Sequence, residues 1–546
     1  MSELAPHLVV APVVLPLLTA AVLVLLGEKN RRAKSIVNIV STLAGLVVAA
    51  ALVSGSGVGG ASGRVGVYLA SNWEAPFGIV LVADRLSALM LVLVGIVSLC
   101  VALYAEAAWA RVGVYFHPLF QIQLMGLNGA FLTGDLFNLF VFFEVMLAAS
   151  YGLQLHGSGT ARVSSGLHYI AVNLLASSLF LVGLATLYGI VGTLSMADFA
   201  AKLPLIPRSE RGLLRAGAAI LAVAFLIKAA IWPLNAWLVP AYTATSAPVA
   251  ALFALMTKVG IYVLYRLWTL FFSTENPTFG SSVLLYGGLA TIAFGALGLL
   301  TTMRLGRIAS FSVVVSSGTL LAALGMGVAS VTSAALFYLL SATLGVSALF
   351  LLVELIERIQ HDGQPRALED DAEADEDTNL DDEEEPLVGR AYPISIALLG
   401  LAFLACALIV AGLPPLSGFI AKVSLLSSIL NIEHGTSLHG SAGCWLVGLL
   451  LVSGLLTILS LSRSGIWHFW ATDTSVAPRI RLVEALSVFA LLASCVALTV
   501  FAEPVLRYTG TTAAALHSPS TYVDAVSSTK PRPGPTRTVL EPESSP

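Results

Sequence analysis

Residues 226–262 read LIKAAIWPLNAWLVPAYTATSAPVAALFALMTKVGIY. Two apolar runs meet in this stretch, and each carries one lysine. Lys228 lies five residues before Pro233, and Lys258 lies at the centre of the second run. About 20 apolar residues cross a bilayer as a helix, and the two runs extend over 213–240 and 246–271, so they read as neighbouring membrane spans. Pro233 lacks a backbone donor and clashes with the preceding turn, which predicts a break in the first span. A charge at the bilayer centre costs about 2.5–3.5 kcal/mol on insertion scales. Lysines in these positions therefore call for a function.

The rest of the 546-residue chain is of the same kind. It is 57% hydrophobic and 11% charged, with a mean hydropathy of +0.88, where soluble proteins hold about 45–50% apolar and about 25% charged residues. A soluble globule could not cover so much apolar surface, which excludes a cytosolic enzyme. The pattern predicts an all-α integral membrane protein of about fourteen spans. Three fall in 1–104, five in 116–271, five in 280–463 and one at 481–503. The run 391–431 is too long for one helix, and Pro414 and Pro415 inside it predict a second broken helix. The first run, 4–26, has no lysine or arginine before it and ends in GEKNRRAK, so it reads as a retained span and not a signal peptide.

Lysine and arginine in the loops set orientation. With the N-terminus outside, fourteen bases fall in inside loops and seven outside, which predicts a multi-pass plasma-membrane protein with both termini outside. The connector around 194–212 departs from the rule, contributing Lys202, Arg208, Arg211 and Arg215 to the outside. Its Pro204 and Pro207 suggest a surface connector. Residues 369–385 hold twelve of the 32 acids, so 359–390 reads as a disordered cytoplasmic loop. The Pro/Ser/Thr-rich tail, 508–546, is also expected to be disordered. No basic stripe points to nucleic acid and no Gly-rich loop to a nucleotide. The four cysteines stand alone in apolar runs, which indicates no metal, cluster, disulfide or other cofactor.

Two further charges lie deep in apolar sequence: Glu144, in NLFVFFEVMLAASYGL, and Lys422, seven residues after Pro415. A structural Glu–Lys pair would account for one lysine. Three lysines cannot all be neutralised by one carboxylate. Lysines in such surroundings exchange protons readily, and a row of them at two broken helices is the expected physics of a proton relay. Other polar residues give weaker signals. Helix capping accounts for Asp135, and Asp84 with Arg85 reads as a local pair. His168 reads as an interfacial histidine or a proton entry group, and Glu354 as a snorkelling side chain. Ser316, Ser317 and Ser341 either hold water between helices or allow close packing.

The runs TGDLFNLFVFFEVMLAASYGL (133–153), LIKAAIWPLNAWLVPAYTATSAPVAALFALMTKVGIY and GLPPLSGFIAK (412–422) resemble the antiporter-like subunits of Mrp-type cation/proton antiporters and of respiratory complex I. Within the Mrp type, the D-subunit branch is the nearest in pattern. The resemblance covers about residues 80–465. It implies two inverted five-helix repeats, spans 4–8 and 9–13, with spans 7 and 12 broken. It also maps the family's relay charges onto Glu144, Lys228, Lys258 and Lys422. The implied role is proton translocation in a multisubunit Na+/H+ antiporter, with other subunits and membrane lipid as partners. The alternative is a membrane subunit of a redox-driven pump, such as complex I or a membrane hydrogenase, whose redox chemistry would sit on partner chains. Lys422, where one complex I relative carries glutamate, and Asn235, where the redox relatives usually carry histidine, favour the Mrp side.

Overall fold

The computed structural model describes residues 7–27, 30–54, 65–113, 115–272, 280–363, 394–431, 437–469 and 480–531. The chain opens with α1 (His7–Leu25), α2 (Arg31–Ser54) and α3 (Arg85–Ala107). Next come α4 (Phe116–Leu132), α5 (Leu136–Gln154), α6 (Thr160–Val191), a short α7 (Met196–Lys202), α8 (Arg211–Lys228), α9 (Leu238–Ala244) and α10 (Ala247–Phe272). The second half has α11 (Ser281–Leu300), α12 (Leu305–Met326), α13 (Ala329–Gly363), α14 (Ile394–Ala411), α15 (Ser417–Leu430) and α16 (Ser437–Phe469). It ends in α17 (Leu482–Val500), α18 (Ala502–Leu516) and α19 (Ser520–Ser527). Among the described residues, twelve helices are long and apolar enough to cross a membrane. The two further expected spans are α4, which is 17 residues long, and the interrupted pair α8–α9.

Burial separates these helices into a centre and a rim. In α10, α12 and α13, 94% of the apolar window is buried inside the chain, against 28% in α2 and 33% in α16 and α17. The three central helices are thus solvated by protein, and polar side chains on them face other side chains and not lipid. Lysine on α10 and serines on α12 are tolerable for that reason.

Both predicted breaks are present, and both are built by the same cap. At the end of α8, Ile231 N–H donates to Leu226 C=O and Ala230 N–H to Ile227 C=O, with Ala230 left-handed at φ +56°. At the end of α14, Leu413 N–H donates to Leu408 C=O and Gly412 N–H to Ile409 C=O, with Gly412 at φ +77°. This is the Schellman arrangement, in which a left-handed residue lets its own amide and the next one satisfy the last turn's carbonyls. Pro233 and Pro415 each fall three residues after that left-handed residue, where a helix cannot resume. The chain then restarts as α9 and α15.

The expected all-α membrane fold is present, with one small addition: an antiparallel hairpin pairs β1 (Gly66–Leu69) with β2 (Val80–Ala83). One expectation needs correction. The tail does not become irregular at 508, because α18 and α19 continue to Ser527, and α19 packs on α7 and β1. Apolar side chains explain this: Leu516, Tyr522 and Val526 are buried in a segment whose overall composition is polar. Residues 532–546 lie outside the described residues. So does most of the acidic stretch, although α13 runs on to Gly363, past its expected end near 357.

Candidate functional site: a buried row of lysines

Glu144 lies in the middle of α5, half-buried, and its carboxylate accepts a hydrogen bond from Ser177 Oγ on α6. Lys228 is the last residue of α8. Its ammonium is buried 5.3 Å from the centre of the Phe143 ring and has no hydrogen-bond partner among the described residues. Phe143 is the neighbour of Glu144 in sequence, so α5 presents the aromatic face and the carboxylate from adjacent positions. A cation over a ring is attracted by about 0.5–2 kcal/mol, less than a carboxylate supplies. The ammonium is thus held without being locked.

Lys258 occupies the centre of the buried α10, 1% exposed. Its Nζ donates to Ser316 Oγ on α12 at 2.5 Å, and Ser316 donates in turn to Val313 C=O at 2.9 Å. The link between Lys228 and Lys258 is backbone packing: a Cβ at Gly260 would lie 2.9 Å from Ala229 N, so α10 passes directly over the break after α8.

Lys422 lies six residues into the second half of the other broken helix. Its Nζ reaches back to donate to Ala411 C=O, the last residue of α14, at 2.7 Å. Two glycines make room. A Cβ at Gly412 would fall 2.4 Å from Lys422 Cδ, and one at Gly454 would fall 3.0 Å from Nζ. Ammonium groups at helix C-termini are favoured by the helix dipole and the unpaired carbonyls. Lys228 sits at such an end by position and Lys422 by the reach of its side chain.

A small cavity of about 20 Å³ lies between Ser316 and Lys422. Ser316, the partner of Lys258, is on one wall, and Lys422, Ser341, Ser312 and Thr457 are on the others. A water needs roughly 10–15 Å³ and two to four polar partners, and this space offers both. Ser341 also exchanges a hydrogen bond of 2.8 Å with Ser417 at the start of α15. Ser316 and Ser341 are thus hydrogen-bonding groups along the row and not mere packing residues.

Two of the weaker candidates fall elsewhere. His168 is exposed on α6. Asp135 caps α5, accepting from Asn138 N–H at 2.8 Å. Two ionic clusters differ from their reading in the sequence. Asp84 caps α3 and pairs with Arg266 of α10 at 2.6 Å, and not with its neighbour Arg85 as expected. Arg266, one of the seven bases assigned above to outside loops, is 6% exposed, and Tyr522 of α19 stacks on it at 5.1 Å. Glu354 does not snorkel: Trp109 Nε1 donates to it at 2.8 Å, and Arg358 joins it to the fully buried Glu484 of α17. The available signal is an acid and a base on different apolar runs, each unexplained alone.

A membrane bundle with two capped helix breaks and a buried lysine row belongs to the class of secondary proton transporters and their relatives. The particular family follows from comparison: the chain belongs to the NADH:quinone oxidoreductase/Mrp antiporter transmembrane family, whose model matches residues 133–442. It is 49% identical over 98% of its length to the whole of a probable K(+)/H(+) antiporter D subunit of Rhizobium meliloti. It is 33% identical over 95% of its length to 99% of an Na(+)/H(+) antiporter D subunit of Alkalihalophilus pseudofirmus. Its fold is similar to a chain in the solved Mrp complex of Dietzia sp. DQ12-45-1b, with TM-score 0.80, 30% identity, and 96% and 99% of the two chains covered.

Proposed function

We propose that this chain is the proton-translocating subunit of a multisubunit monovalent cation/proton antiporter of the plasma membrane, with both termini outside. Protons pass along Lys228, Lys258 and Lys422, and Glu144 tunes the proton affinity of Lys228. The observation that carries this reading is the continuity from Lys258 through Ser316 and the polar cavity to Lys422. A structural ion pair would need no such space. The matching caps at Ala230 and Gly412, each followed at the same spacing by Pro233 or Pro415, support descent of spans 4–8 and 9–13 from one repeated unit. The two relatives differ in the cation that they are named for, and nothing along the lysine row selects between Na+ and K+.

The test is proton flux in vesicles holding the assembled complex, driven by a Na+ or K+ gradient. Ser341→Leu fills the cavity and should slow flux at least about tenfold, equivalent to about 1.4 kcal/mol of barrier. Ser341→Ala keeps the space and should stay near wild type. Wild-type flux in assembled Ser341→Leu vesicles would exclude a path through the cavity.

A further inference from the structure

The two helix breaks share a cap and differ just after it. From the left-handed residue onward, Ala230-Ile231-Trp232-Pro233 stands against Gly412-Leu413-Pro414-Pro415. Pro414 has no backbone N–H, so the second break carries no donor at that position. The first break carries one, on Trp232. An amide freed by a break inside a span needs a partner within the protein, and Ser or Thr on a neighbouring helix can supply it. Here the Trp232 N–H donates to Thr291 Oγ1 of α11 at 3.0 Å. Thr291 is fully buried, and its own hydroxyl proton goes to Gly287 C=O at 2.6 Å. Its oxygen therefore meets Trp232 as an acceptor. The group that completes the break of the first half comes from the helix that opens the second.

The same helix is fastened to α12. A Cβ at Gly288 would lie 2.5 Å from Ala322 N, and one at Gly325 would lie 2.5 Å from Leu285 N, so the two backbones touch over several turns. At Gly318 of α12 a Cβ would fall 2.9 Å from Thr291 Cβ itself. Two residues before Gly318 stands Ser316, which accepts the hydrogen bond of Lys258 Nζ. Close-packed interiors transmit displacement because they hold almost no free space. We infer that Thr291 is a positioning residue for the proton relay proposed above, on which its role depends. It ties the break four residues after Lys228 to the two-helix body that also holds the ammonium of Lys258. The two lysines are thereby kept in one geometry from a third place in the fold.

The experiment uses the complete complex and two readouts. Thr291→Val keeps the shape of the side chain and removes the acceptor, whereas Thr291→Ser keeps the acceptor. The valine variant strands a donor and should lower the thermal unfolding midpoint by about 2 °C. Trp232→Pro removes that donor, as Pro414 does in the second break. In its background Thr291→Val should shift the midpoint by less than about 0.5 °C. In vesicles, the maximal cation-driven proton flux per assembled complex should fall about fivefold for Thr291→Val, the rate equivalent of one hydrogen bond. The half-saturating cation concentration should hold. Thr291→Ser should restore both midpoint and flux. Thr291→Cys, with a weaker acceptor, should fall between serine and valine, and it serves if the valine variant does not assemble. An unmoved midpoint, or an equal loss in the Trp232→Pro background, would remove the clamp. A lowered midpoint with wild-type maximal flux would reduce Thr291 to a structural residue and overturn its positioning role. The unfolding cycle involves no transport, so the clamp can fail while the relay stands, and a relay refuted at Lys258 leaves the cycle unchanged.

Discussion

The ammonium of Lys422 lies 2.7 Å from the carbonyl oxygen of Ala411, so one side chain bridges the break between α14 and α15. Lys228 reaches the corresponding end of α8 by being its last residue. Two broken helices thus bring a lysine to the same kind of electrostatic position, the exposed carbonyl end of a half-helix, from different places in sequence. At Lys422 the acceptor of that hydrogen bond is a backbone carbonyl, which does not itself take up a proton.

Adding a methyl group at Gly454 should disturb this arrangement directly. The new Cβ would sit 3.0 Å from Lys422 Nζ and 3.1 Å from Ala411 C=O, inside the hydrogen bond. Gly454→Ala should leave the complex assembled and slow proton flux. Gly412→Ala should do more. Its backbone is left-handed, which costs a non-glycine residue about 1–2 kcal/mol, and its Cβ would collide with Lys422 Cδ. Thermal stability of the purified complex should fall for Gly412→Ala and hold for Gly454→Ala. The opposite order would contradict the geometry.

Glu144 and Lys228 form a second testable pair. Glu144 is held by Ser177 while the Lys228 ammonium rests on Phe143, so movement of the carboxylate toward the lysine would change the latter's proton affinity. Glu144→Ala should abolish antiport in assembled vesicles, and Ser177→Ala should change its rate without abolishing it. Full ion exchange in assembled Glu144→Ala would remove Glu144 from the mechanism.

The Asp84–Arg266 pair predicts a stability effect and no transport chemistry. Removing one partner of a buried ion pair typically costs about 3–5 kcal/mol, because the other charge is stranded. Asp84→Ala should therefore reduce the thermal stability of the complex sharply. Asp84→Asn combined with Arg266→Met should recover part of it. A double variant as unstable as the single would show that the pair is not the source of the loss.

The sequence makes the spans, the breaks and the charges within apolar runs legible for one physical reason. Each is a local conflict: a proline in an apolar run, or a charge where lipid would surround it. Pro233, Pro415, Lys258 and Lys422 all announce themselves in this way. Arg266 does not, because it stands near the end of its run and passes for a loop base; only the fold brings Asp84 to it from 182 residues away. At the end of the chain, average polarity hides a few apolar positions, and Tyr522 and Val526 are enough to dock a short helix. The cavity between Ser316 and Lys422 has no local signature at all, since its walls come from several helices.

The row also predicts which ion the core refuses. A hard cation needs several oxygen ligands, usually with carboxylate among them, and the row offers Glu144 against three lysines. Two like charges 4 Å apart repel by about 4 kcal/mol at an effective dielectric of 20, so a metal cation meets a barrier at each protonated lysine that a hopping proton avoids. The cation route should lie in another subunit or at an interface with one. Radiolabelled Na+ or K+ flux through the isolated subunit should be absent, and flux blocked by Lys258→Ala would refute this.

Replacing Lys258 by arginine puts the central claim to its most direct test. Lys258→Arg retains a positive charge and a donor facing Ser316, but arginine does not give up its proton near neutral pH. Cation-driven proton flux should be measured in vesicles holding equal amounts of assembled wild-type and Lys258→Arg complex. A relay through Lys258 predicts intact assembly with flux reduced to background. Wild-type flux in the arginine variant would contradict it.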